Sequence, residues 1–264
     1  MKVICAQDYQ QMCSFAARFV TRHVNAKPDI VLGLATGRTM IGFYEQMAAR
    51  FRAGECSFSQ VTSFNLDEYV GLPEGNLGSY HAYMRRHFVE ATDVEPDAVH
   101  VPDGNAADVV AAAEAYEDAI CAAGGIDIQL LGIGGNGHVA FNEPGSSLAS
   151  RTRVKRLTPE TVHANAPEFG TPEDVPRYVM TMGIGSIMDA RIVFLLASGE
   201  GKAQAVASMV EGPITSWCPA SVLQMHRHAF VLVDPGAASR LSRPHDTVEQ
   251  VLADPFEEYF WEGA

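Results

Sequence analysis

Short runs rich in Val, Ile and Leu alternate along this chain with longer stretches whose apolar residues recur at helical spacing. The runs DIVLGLA, VTSFNL, AVHVP, IDIQLLGIG, RYVMTMG, RIVFLLA and AFVLV read as strands, because short apolar or β-branched runs bounded by glycine, proline or aspartate suit a buried strand. Between them TMIGFYEQMAARFRAG, SYHAYMRRHFVEA, AADVVAAAEAYEDAICAAG and GKAQAVASMVEG carry the period of amphipathic helices, and the start, MKVICAQDYQQ, reads as a strand leading into a helix. This alternation predicts βαβ units and an α/β fold, a mostly parallel sheet flanked by helices. No repeat, low-complexity tract or linker divides the 264 residues, so a single domain over 1–264 is expected.

Ligands of such sheets bind beyond the carboxyl ends of the strands, so the strand exits are where chemistry belongs. Four exits are polar: ATGRT after DIVLGL, DEYVG after VTSFNL, GGNGH after IDIQLLGI and SGEGK after RIVFLLA. In the first, Gly37 lets the backbone close on an anion at a helix N-terminus while the hydroxyls of Thr36 and Thr39 donate. An ordinary βα turn capped by Thr39 explains the same residues. In the second, the adjacent carboxylates Asp67 and Glu68 push at least one pKa upward if buried together, as a general base needs, or else form a solvated acidic loop.

In the third exit, LGIGGNGHVAFNEP places His138 two residues after Asn136 and five before Glu143, among glycines. A chain folded back there sets a carboxylate on one imidazole nitrogen, fixes the tautomer and leaves the other nitrogen to move a proton. The plainer alternative is a histidine satisfied by backbone groups. In the fourth, Lys202 at a helix start either reaches a phosphate as a point charge or lies on the surface. His226 and His228 in QMHRH are spaced to point to opposite faces of a strand, and with neither HExxH nor CxxC present no metal is expected.

Charge narrows the partners. Nineteen basic against 32 acidic residues leave a net charge of −13, which argues against a broad nucleic-acid surface yet permits a small anion held by helix amides and one or two cations. No stretch nears the ~18 consecutive apolar residues of a membrane span, and the start lacks the apolar core of a secretory signal. Five widely spaced cysteines (Cys5, Cys13, Cys56, Cys121, Cys218) fit buried thiols in a reducing compartment, so the cytoplasm is expected.

LATGRT, SFNLDEYVGL followed by SYHAYM, LGIGGNGHVAFNEPGSSLASRTR and the GEGK segment, in this order over about the first 210 residues, resemble the glucosamine-6-phosphate deaminases, or deaminating isomerases. The resemblance implies a Rossmann-like fold of the deaminase/ribose-5-phosphate isomerase type with a small lid region. It also implies conversion of glucosamine 6-phosphate, or a close hexosamine 6-phosphate, to fructose 6-phosphate (or the matching ketose phosphate) and ammonia, with neither metal nor organic cofactor. Classed by the bond that breaks, such an enzyme is a hydrolase acting on C–N bonds. On the same ground the catalytic set is Asp67, Asn136, His138 and Glu143. Asp67 takes the C2 proton, His138 opens the sugar ring, and Glu143 orients it. Thr36, Gly37, Arg38, Thr39, Glu68 and Lys202 bind substrate, with Gly37, Arg38, Thr39 and Lys202 at its phosphate.

The chain departs from the family at three places. Asn136 stands where many relatives have Asp, and is expected to hydrogen-bond the imidazole without adding charge. In NAPEFG, Pro167 stands where relatives usually place a phosphate-binding Arg, while the phosphate loop carries Arg38 where a small residue is usual; Arg38 is expected to compensate. The tail DPFEEYFWEGA, with Phe256, Tyr259, Phe260 and Trp261, matches no familiar relative and is expected to pack on the body or on a partner subunit. Some relatives are hexamers activated by N-acetylglucosamine 6-phosphate, and Ser146, Arg153 and Lys155 match positions used there, so a homo-oligomer with such an activator is possible. Two rivals stay open: a 6-phosphogluconolactonase-like hydrolase with a similar GH loop, and a non-catalytic sugar-phosphate sensor domain.

Overall fold

Two sheets form in the computed structural model, which describes residues 1–73 and 75–253. The strands are β1 (Lys2–Cys5), β2 (Val31–Leu34), β3 (Thr62–Asn65), β4 (Asp67–Tyr69), β5 (Val99–His100), β6 (Ile128–Leu131), β7 (Arg153–Arg156), β8 (Tyr178–Thr181), β9 (Ile192–Ala197), β10 (Ala229–Val233) and β11 (Asp246–Thr247). The main sheet has eight strands in the order β11-β1-β10-β9-β6-β2-β3-β5, and every adjacent pair in it runs parallel. Its central strands are wholly buried and apolar except for Gln129 of β6, as suits strands covered on both faces.

The helices between them are α1 (Tyr9–Ala26), α2 (Arg38–Arg52), α3 (Tyr80–Met84), α4 (Val109–Ala122), α5 (Pro159–Phe169), α6 (Ile184–Met188), α7 (Ala203–Glu211), α8 (Pro235–Ala238) and α9 (Val248–Ala253). Several begin where the sequence supplies a cap. The carboxylates of Asp8 and Asp108 and the hydroxyl of Thr158 accept backbone N–H groups in the first turns of α1, α4 and α5. Phe19 of α1 stacks on Phe194 of β9 with ring centroids 4.6 Å apart, locking a helix onto the sheet centre.

Chain order reverses between β2 and β6: from β2 the chain proceeds outward to β3 and β5, then returns to lay β6 on the other side of β2. A crevice beyond the carboxyl ends of these two strands is where such a sheet accepts a ligand.

Three expectations are corrected. RYVMTMG does not join the parallel sheet. As β8 it lies in a second sheet, order β4-β8-β7, antiparallel to both neighbours. DEYVG is likewise not a simple exit loop, because Asp67–Tyr69 is β4, the edge of that small sheet. A single apolar run carries no mark of which sheet it will join. The small sheet and α5 share their own apolar cluster, built on Tyr69, Tyr80, Phe141, Val162 and Val179. Finally, SYHAYMRRHFVEA is α-helical only through Met84 and continues as one π-helical turn over Arg85–Val89. The tail containing Phe256, Tyr259, Phe260 and Trp261 lies outside the described residues.

Candidate active site

A cavity of about 490 Å³ opens at the β2/β6 crevice, lined by Thr36, Gly37, Arg38 and Thr39 at one wall, Asp67 and Tyr80 at another, Gly134 and His138 at a third, Lys202 from the loop after β9, and Thr161, Asn165 and Glu168 from α5. All four polar strand exits therefore converge on one pocket.

At the first wall, Gly37 is the N-cap of the 15-residue α2 with φ 102°, a conformation that glycine adopts freely and other residues do not. Thr39, expected as a possible cap, sits instead inside the first turn and lines the cavity. No side chain caps this helix and its first turn holds no acidic residue. Its first N–H groups are therefore available to an anion, and the helix dipole reinforces them. The Arg38 guanidinium is exposed and makes no ion pair or hydrogen bond with any described residue. Burial first, and Arg38 second, lower the pKa of Lys202. Two cations brought together, neither in an ion pair among the described residues, suit a dianion.

Asp67 and Glu68 are adjacent in sequence and opposed in role. Successive strand residues face opposite sides, so Asp67 opens into the cavity while Glu68 turns away. Glu68 accepts backbone N–H bonds from Tyr69 (2.8 Å), Tyr80 (3.1 Å) and His81 (2.9 Å), which makes it the anchor of α3. Glu68, expected to touch substrate, lies outside the lining of this cavity. Asp67 is buried and has no hydrogen-bond partner among the described residues, and burial, then the neighbouring Glu68, raise its pKa well above the carboxylate range.

The GGNGH loop folds back as the glycines suggested. A methyl group on Gly134 would lie 2.3–2.5 Å from the His138 ring atoms, so only glycine lets the imidazole rest there. His138 Nδ1 lies 3.3 Å from Glu143 Oε2, an ion-pair distance whose alignment falls short of a hydrogen bond. Glu143 Oε2 also accepts from Asn136 Nδ2 at 2.8 Å, and Oε1 accepts from the Thr161 hydroxyl. Burial opposes the charge on Glu143, but His138, Thr161 and Asn136 together hold its carboxyl at about 2. Asn136 does not bond the imidazole, contrary to expectation. Its amide donates to Glu143 and its carbonyl oxygen accepts the His138 backbone N–H at 3.2 Å. Ala140, next in the loop, is held at φ 50°, strain that a non-glycine residue bears mostly at sites.

Pro167 lies on α5 outside the cavity, and its neighbour Glu168 faces in. Burial raises the Glu168 pKa, with Arg38 opposing. Sequence reading misses Thr161, Asn165 and Glu168, since α5 reaches the pocket only through the fold, and Tyr80, which α3 carries there. Ser146, Arg153 and Lys155 do not line the cavity. Arg153 and Lys155 share one face of β7, and Ser146 is buried beyond Glu143, its N–H donating to the Glu143 carbonyl at 3.0 Å. His226 and His228 precede β10 rather than forming part of it; His226 bonds the Ala190 carbonyl oxygen at 2.8 Å. Among the described residues no group of three or more His, Cys, Asp or Glu is placed to hold a metal ion.

A family model described as Glucosamine-6-phosphate isomerases/6-phosphogluconolactonase matches residues 6–232. A glucosamine-6-phosphate deaminase of Arthrobacter sp. (strain FB24) is 52% identical over 241 residues, covering 91% of this chain and 93% of that one. A solved structure described as that of a monomeric glucosamine-6-phosphate deaminase superimposes with a TM-score of 0.89 at 44% identity, over 91% of this chain and 100% of that one. The 6-phosphogluconolactonase of Trypanosoma cruzi reaches a TM-score of 0.72 at 20% identity, over 92% of this chain and 97% of that one, a likeness of fold alone. The lactonase alternative is thus a distant relation. The hydrolase class implied by the resemblance finds no support in the deaminase names. Identity of this level, sustained over nearly the whole length, means that the chain belongs to the glucosamine-6-phosphate deaminase family.

Proposed function

We propose that this chain converts glucosamine 6-phosphate, or a close hexosamine 6-phosphate, into the matching ketose 6-phosphate and ammonia. One observation carries the reading: a buried carboxylate (Asp67) with no hydrogen-bond partner among the described residues and a carboxylate-backed histidine (His138) face the same cavity as Arg38 and Lys202, two cations in no ion pair among those residues. Such a substrate has a dianion at C6 and an ammonium at C2, with the acidic C–H between the amine and the C1 carbonyl of its open form.

With the phosphate held at Gly37, Arg38, Thr39 and Lys202, the reacting carbons lie toward Asp67 and His138, and orientation by the distant handle lowers the entropic part of the barrier. His138 takes the proton of the C1 hydroxyl and, as an imidazolium facing ionised Glu143, gives it to the ring oxygen as the C1–O5 bond breaks, returning to neutral imidazole. Asp67 then carries the proton from C2 to C1 by way of an enolamine. The iminium formed at C2 adds water and expels ammonia. The substrate ammonium favours the charged form of Asp67 on binding, so a base that is hard to ionise in the empty site becomes available when substrate arrives.

Arg38→Ala should raise KM for the phosphorylated sugar about 10- to 100-fold with a smaller change in kcat, as expected for loss of a charge-assisted contact. Steady-state kinetics check this, and an unchanged KM means that Arg38 does not hold the phosphate. Running the assay with the gluco and galacto epimers side by side also reads the preferred sugar.

The same reading extends to regulation and location. Arg153 of β7 and Asp67 of β4 both lie opposite Thr181 of β8, so the three occupy one row of the small sheet. Burial lowers the pKa of Arg153, and its guanidinium has no carboxylate partner among the described residues. An acetylated amino sugar phosphate bound by Ser146, Arg153 and Lys155 in a homo-oligomer would act two strands from the base. Sigmoidal kinetics made hyperbolic by that compound support the activator, and hyperbolic kinetics indifferent to it remove it. The five free thiols support a reducing compartment, the cytoplasm, and no helix among the described residues is long and apolar enough to cross a membrane.

A further inference from the structure

The phosphate loop is fastened from behind by two phenol hydroxyls, and neither tyrosine lines the cavity. Tyr9 of α1 donates to the Thr39 carbonyl oxygen at 3.1 Å and accepts the Gly42 N–H at 3.0 Å, holding the first turn of α2. Tyr83 of α3 donates to the Gly37 carbonyl oxygen at 3.0 Å. That oxygen also accepts the Met40 N–H at 3.0 Å, so it is doubly held.

In a trans peptide the carbonyl and the following N–H point opposite ways. A Gly37 carbonyl tied to Tyr83 therefore turns the Arg38 N–H away from Tyr83, leaving it unpaired at the mouth of the helix. Glycine gives this peptide wide freedom to rotate, so the Tyr83 hydroxyl adds to the Met40 bond in fixing the loop's orientation in the empty state. Tyr83 itself is firmly placed. Its helix is anchored by the Glu68 carboxylate and by the Ser79 hydroxyl, which accepts the Ala82 N–H at 3.1 Å. Its ring packs on His87 at 4.4 Å and against the edge of Tyr44 at 5.9 Å. The residue beside the base Asp67 thus also supports the helix that orients the phosphate loop.

We infer that Tyr83 is a positioning residue for the anion site: its hydroxyl sets the Gly37–Arg38 peptide so that the loop presents its N–H groups to the phosphate of the substrate. The inference rests on the function proposed above. The test compares wild type with Tyr83→Phe in inorganic phosphate binding by calorimetry, in steady-state kinetics on glucosamine 6-phosphate and in thermal unfolding. Phosphate Kd and KM should rise by the same factor, about three- to tenfold for the loss of one neutral hydrogen bond, while kcat and Tm stay at wild-type values. Equal phosphate affinity in the two proteins overturns the inference. So does a rise in KM accompanied by a lower kcat and a lower Tm, the pattern of general loosening. A wild type that binds inorganic phosphate yet releases no ammonia from any hexosamine 6-phosphate refutes the proposed function instead, and the Tyr83 comparison still stands on phosphate binding.

Discussion

Asp67→Asn should cut kcat for ammonia release by about 10³-fold or more, the scale of a positioned general base, and leave the Kd of inorganic phosphate unchanged. Asparagine keeps the size of the side chain and the strand that presents it, and cannot accept a proton from carbon. Its amide also removes the like charge beside Glu68, so the variant should unfold no more readily than wild type at neutral pH. The pH dependence of the wild type follows with a definite sign. Asp67 must be ionised to act, and burial with Glu68 beside it lifts its pKa. The acid limb of kcat/KM should therefore lie above the ordinary carboxylate range, while that of kcat lies lower, because the bound ammonium stabilises the charge. Phosphate binding that survives with turnover gone marks an enzyme. Substantial turnover in Asp67→Asn places the base elsewhere, and a wild type that binds without turnover returns the sensor alternative.

Glu143→Gln should lower kcat by about a hundredfold, toward the lower end of acid–base contributions, and alter the pH profile of kcat/KM. The Glu143 carboxylate stands beside His138 Nδ1, and Asn136 is a neutral donor to that same carboxylate. A glutamine keeps an oxygen for Asn136 but leaves an imidazolium without a counter-charge. An unchanged pH profile would show that Glu143 is structural. Stability supplies an independent reading. The Glu143 carboxyl is held at about 2, below the ordinary 4.5, so its contribution is present above 4.5 and fades as the pH falls toward 2. Denaturant unfolding of Glu143→Gln should lack that part of the acid destabilisation.

The sequence made the βαβ alternation, the phosphate loop and the His138 loop legible because each rests on local signals: buried strand runs, glycines at a close approach and a helix start. The Gly134 contact with the His138 ring gives the glycine density its reason. What stayed hidden depends on distant chain segments. RYVMTMG looks like any parallel strand, and only its pairing with β4 and β7 places it in a second sheet. The alternation of side chains on β4 separates Asp67 from Glu68, a division invisible while DEY is read as a loop. Thr161 and Glu168 enter the site from α5, and neither carries a local mark of that role. Asn136 was read as a partner of the imidazole because it is near in sequence, whereas its amide reaches past the ring to Glu143.

The central claim is that this pocket deaminates an amino sugar phosphate, and the direct measurement is ammonia release from a panel of hexosamine 6-phosphates, with 6-phosphogluconolactone hydrolysis followed on the same preparation. The account predicts one ammonia and one ketose 6-phosphate per hexosamine 6-phosphate consumed, with no loss of lactone beyond the uncatalysed rate. Lactone hydrolysis without ammonia release would contradict it.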